Sequence, residues 1–144
     1  MTSDNRRARA FRRMLARDAG AGANPPAIAE AARRLCERFA EQLTPLIGDA
    51  GVAAIWARSL HLTQRKVRGL VPVRASTQGD APFALLQQSL EQQEPTAATE
   101  AAVAVLATAS ELLALFIGEG LTTRLLREAW PDDFAGDTTE ETLT

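Results

Sequence analysis

Residues 96–130, TAATEAAVAVLATASELLALFIGEGLTTRLLREAW, carry the longest helical signal in the chain, and their reading decides the fold. At 3.6 residues per turn, Ala102, Val105, Leu106, Ala109, Leu112, Leu113, Phe116 and Ile117 fall on one wide apolar stripe. Val103, Ala107, Ser110 and Ala114 make a second stripe of small residues beside it. Only the strip holding Glu100, Ala104, Thr108 and Glu111 is expected to meet water. A helix that is apolar on two sides has to be covered on two sides, by other helices or by a second subunit. The stretch therefore predicts an all-α bundle of five or six mostly antiparallel helices around a long, Ala-rich central helix at about 96–117.

Composition points the same way. The chain of 144 residues is one domain's worth and can bury a single core. Alanine, the best helix former, supplies roughly a fifth of the residues, while Tyr is absent and only five Phe and two Trp occur. Strand-favouring residues are too sparse for several strands. Gly118-Glu119-Gly120 interrupts the helical period, so the long helix either bends there or gives way to a last helix from about Leu121 to Trp130.

Upstream of the central stretch, Asn24-Pro25 reads as a helix start. Residues 25–43 then carry a stripe of Ile28, Ala32, Leu35, Cys36, Phe39 and Leu43. Thr44-Pro45 suggests a restart and Gly48 a stop, with Asp49 heading a further helix whose inward positions include Val52, Ile55, Trp56, Leu60 and Thr63. Residues 66–79 (KVRGLVPVRASTQG) form the one non-helical run with apolar content, expected as a loop whose Leu70, Val71 and Val73 dip into the core. Asp80 and Pro82 start a fourth helix with Phe83, Leu86 and Leu90 inward. Glu94-Pro95 ends it, and Thr96 or Thr99 is expected to cap the central helix.

The two ends are oppositely charged although the net charge is only -2. Residues 1–18 form a basic arm or short helix with Phe11, Met14 and Leu15 on its thin apolar side; residues 19–24 are a flexible link; residues 25–130 are the bundle; residues 131–144 are an acidic tail, expected to be disordered, with little but Phe134 to bury. A single cysteine rules out an internal disulfide. With no apolar leader segment, and with Glu100 and Glu111 spoiling the one stretch long enough to span a bilayer, the expected location is the cytoplasm.

Catalytic chemistry finds few candidates. One His and one Cys cannot make a zinc site of the ordinary kind, and neither a G-x-x-x-x-G-K-[ST] nor a G-x-G-x-x-G run is present. No catalytic residue, metal site or cofactor is expected, and Cys36 reads as a buried thiol on an apolar stripe.

Two binding features remain. Arg58, His61 and Arg65 share one polar helix face, suited to a phosphate or to a partner's carboxylates. The stripe of Val103, Ala107, Ser110 and Ala114 suits a closely packed neighbour, inside the bundle or across a two-fold axis. The leading expectation is a non-catalytic helical interaction or regulatory module that pairs with itself as a homodimer. The alternatives are binding of nucleic acid or another polyanion through the Arg-rich start and the Arg58 face, and a small-molecule sensor with an apolar pocket between helices.

Overall fold

A computed structural model describes residues 2–20, 22–66 and 82–134, and among these every regular element is a helix. In chain order they are α1 (Thr2–Ala19), α2 (Pro25–Lys66), α3 (Pro82–Glu91), α4 (Pro95–Ile117) and α5 (Glu119–Ala129), followed by a helical turn over residues 131–134. The expected all-α bundle with a long Ala-rich helix is what the chain forms. The expected core loop of residues 66–79 beyond Lys66, the cap at Asp80 and the tail from residue 135 onward lie outside the described residues.

α2 is continuous through Thr44-Pro45 and breaks its geometry only at Gly48, whose φ of 78° and ψ of 168° turn the chain. Positive φ is cheap for glycine alone, so the kink is fixed at this position. Gly51, one turn later, completes it. A Cβ there would meet the Ile47 Cβ at 3.0 Å, so the missing side chain is what lets Ile47 lie over the second half of the helix. Asn24 heads α2 as expected, its Oδ1 accepting the Ala27 amide at 3.0 Å.

α4 touches all four other helices, and so does α2. The bundle thus has two organising helices, where the sequence pointed to one. Within α4, Ala98, Ala101, Ala102, Val105, Leu106, Ala109 and Leu113 are buried, as is Val103 from the small-residue stripe. Four neighbours also dry part of the strip expected to be wet: Thr108 is buried and Glu111 half-buried, while Glu100 stays exposed. The start of α4 differs from expectation as well. Glu94 occupies the cap position with no side-chain bond and Pro95 opens the helix, so neither Thr96 nor Thr99 serves as the cap. At the other end Gly118, with φ 92°, closes α4, and α5 begins immediately after it.

Of the two forms expected for the basic N-terminal segment, arm or short helix, the structure has the helix. α1 buries Ala10, Phe11, Met14 and Leu15 in the common core, and three of its arginines reach other elements. Arg7 donates to Glu119 Oε1 at 2.8 Å and to Thr123 Oγ1 at 3.1 Å on α5. Arg12 makes a two-pronged pair with Glu100 on α4 at 3.0 and 2.9 Å, and Arg17 another with Asp133 at 3.0 Å. The start of the acidic tail is likewise part of the fold. Phe134 is fully buried, with ring centroids 5.6 Å from Phe11 and 6.1 Å from Trp130, and Trp130 in turn stands edge-on to Phe11 and Phe39.

Candidate interaction face

Four of the buried polar side chains keep their hydrogen bonds local. Ser59, Thr63, Ser110 and Thr122 each donate a hydroxyl hydrogen bond to the carbonyl four residues back, at 2.7–3.0 Å, which satisfies the hydroxyl inside its own helix. Cys36 is completely buried, and loss of solvation, with a smaller effect from the charge of Glu37, pushes its thiol far above the ordinary range, so it stays protonated. Among the described residues no three His, Cys, Asp or Glu side chains converge as metal ligands.

The sequence-derived site residues lie in two places. Arg58, His61 and Arg65 are all exposed on the outward side of the second half of α2, and none of them makes a hydrogen bond or ion pair with a described residue. The small-residue stripe of α4 is used differently along its length. Val103 and Ser110 are buried against the chain's own helices, while Ala107 and Ala114 are half-buried. The wide apolar stripe fails near its end: Phe116, expected inside the bundle, is 76% exposed, and its neighbour Leu115 is 82% exposed.

These two side chains edge a groove of about 690 Å³ between the end of α4 and the kinked part of α2. The α4 wall is Leu112, Leu115, Phe116 and Ile117; the α2 wall is Ile47, Gly51, Ala54, Ile55 and Arg58. Gly51, Ala54, Ile55 and Arg58 recur every three or four positions on one face of the second half of α2, a run of about 10 Å at 1.5 Å per residue, and Ile47 joins them from before the kink at Gly48. Among the described residues Arg58 is the sole charged one in the lining, so one of the three sequence-derived candidates lines the groove while His61 and Arg65 continue outside it. Leu46, at the end of the first half of α2, adds a half-exposed apolar side chain close to the kink in sequence.

Sequence reasoning missed this groove because the helical period of 109, 112, 113 and 116 runs on unbroken to Phe116. Period reports which residues share a face, and not how far the covering helices extend. The one available signal was Gly48, which the sequence marks as a stop and which the structure makes the kink of α2 beside the groove.

Trp130 and Phe134, at the start of the acidic tail, both have their rings in the core. α4 has the length and mean hydropathy, 1.8 over 18 residues, to cross a membrane, but half of that window is buried in the bundle. No family model matches the chain, and no curated protein or solved structure matches it either.

Proposed function

We propose that this chain is a non-catalytic helical interaction module that pairs with a second copy of itself through the face formed by the end of α4 and the kink of α2. The observation carrying this reading is the exposure of Leu115 and Phe116 beside an apolar groove. Their two side chains alone leave on the order of 300 Å² of apolar surface bare. That is as large as the greatest apolar patch on many monomers and a good part of the roughly 800 Å² per partner of a standard interface.

The shape of the face favours a second copy. A protrusion (Leu115 and Phe116) and a hollow (over Gly51 and Ala54) adjoin on one surface, so a two-fold axis places each protrusion in the other copy's hollow. Ala54 and Gly51 keep the floor shallow enough for an entering ring. Closed pairing of this kind ends at two subunits and does not propagate.

Binding of a polyanion is less well supported by the geometry. Arg7, Arg12 and Arg17, half of the six N-terminal arginines, are engaged by Glu119, Glu100 and Asp133 and are not free to neutralise phosphates.

The reading is tested by light scattering across a concentration series. Wild-type chain is expected at twice the monomer mass in the micromolar range. Phe116→Glu is expected at monomer mass with its helical circular dichroism intact, because the residue it replaces is exposed. A wild type that stays monomeric at high micromolar concentration sinks the reading.

A further inference from the structure

We infer that the α2–α4 groove is also a binding site for a single-chain amphiphile with a carboxylate head, its hydrocarbon chain lying along Ile47, Gly51 and Ile55 and its head on Arg58. Volume, lining and charge carry this together. About 690 Å³ lies inside the range of pockets that hold one small ligand. Apart from Arg58, every described lining residue is aliphatic or aromatic or has no side chain, so the body of the ligand has to be apolar.

Arg58 then sets the head. Arg58 lines the groove and makes no ion pair or hydrogen bond with a described residue, so its guanidinium donors are available to an incoming acceptor. A planar fork of donors matches a carboxylate. One cation in the lining calls for one negative charge, and a dianionic head would leave a charge without a partner. Gly51 gives the chain its bed: with no side chain at this position the α2 wall stays open between Ile47 and Ile55, and a Cβ there would press on Ile47 at 3.0 Å.

This inference rests on the groove lining and not on the self-pairing proposed above, although a ligand and a second copy would cover the same residues and exclude one another. Isothermal titration calorimetry with octanoate, decanoate and dodecanoate below their aggregation limits reads the ligand; light scattering on the same samples reads the pairing, so each can fail alone. The expected result is saturable binding of one ligand per chain that tightens about three- to fourfold for each added methylene. Arg58→Ala is expected to weaken dodecanoate about tenfold while leaving dodecanol unchanged, with an unaltered melting temperature because Arg58 is exposed. Ala54→Phe, which fills the groove from an exposed helix position, is expected to abolish both.

No saturable binding overturns the inference. So does equal affinity of dodecanoate for wild type and Arg58→Ala, which would remove the carboxylate site. Retention on vesicles containing anionic lipid without binding of the monomeric amphiphile overturns it as well, since that would make the face a membrane contact.

Discussion

Gly48 and Gly51 act on the same turn for different reasons. Gly48 has φ at 78°, where any side chain is strained, and a Cβ at Gly51 would press on Ile47 at 3.0 Å. Gly48→Ala is expected to cost about 1–2 kcal/mol in urea unfolding. Gly51→Ala gains helix propensity of up to about 1 kcal/mol, and it also pushes Ile47 into the groove. Its clearest effect should therefore be on self-association and not on the unfolding midpoint.

The pair of Arg12 and Glu100 makes a prediction about acid. The hydrogen bond from Arg12, helped by its charge and opposed by partial burial, holds the Glu100 carboxyl below its ordinary range. A folded value below the unfolded one means that this stabilisation is complete above the unfolded value of about 4.3 and fades as pH falls through the folded one. Both groups are about half exposed, so the pair contributes no more than about 0.5 kcal/mol. Glu100→Gln should lose that small amount at pH 6 and differ from wild type by nothing at the acid end, as read by urea midpoints from pH 6 down to pH 3.

At the scale of elements, α1 shows how much of the fold was legible and where legibility stopped. The inward positions Phe11, Met14 and Leu15 are plain in the sequence, and the structure buries all three. Their docking was not plain, because a thin apolar side alone makes a marginal helix. What secures α1 comes from residues about a hundred positions away: Phe134 and Trp130 against Phe11, and Glu119, Glu100 and Asp133 against three arginines. Separations of that size leave no mark in a local window.

The same contrast explains α4. Its stripe is correct where α1, α2, α3 and α5 cover it and fails at Phe116, where the cover ends. If Phe134 is the clasp of α1, Phe134→Ala should cost about 3–5 kcal/mol, as for other buried aromatics. Arg17→Ala, which breaks only a surface pair, should cost under about 1 kcal/mol. Melting curves of the two variants distinguish a hydrophobic attachment of α1 from an ionic one.

For the whole molecule, the fold class followed from the sequence, while the candidate site did so only in part. Arg58 was picked out as part of a polar face, and the structure adds that it lines an apolar groove. The groove itself arises from the relation between two helices far apart in the chain, one kinked by Gly48 and one closed by Gly118. With Arg7, Arg12 and Arg17 engaged internally and a net charge of -2, retention on heparin is expected to be weak at physiological salt.

The central claim is that the face made by the end of α4 and the kink of α2 is bare in one chain and covered in two. Amide hydrogen exchange measured at low and at high protein concentration tests it most directly. Protection should rise with concentration in peptides spanning residues 47–58 and 112–118 and stay constant in those from α1 and α5. Exchange that is independent of concentration in both segments, or protection that rises first elsewhere on the bundle, would contradict it.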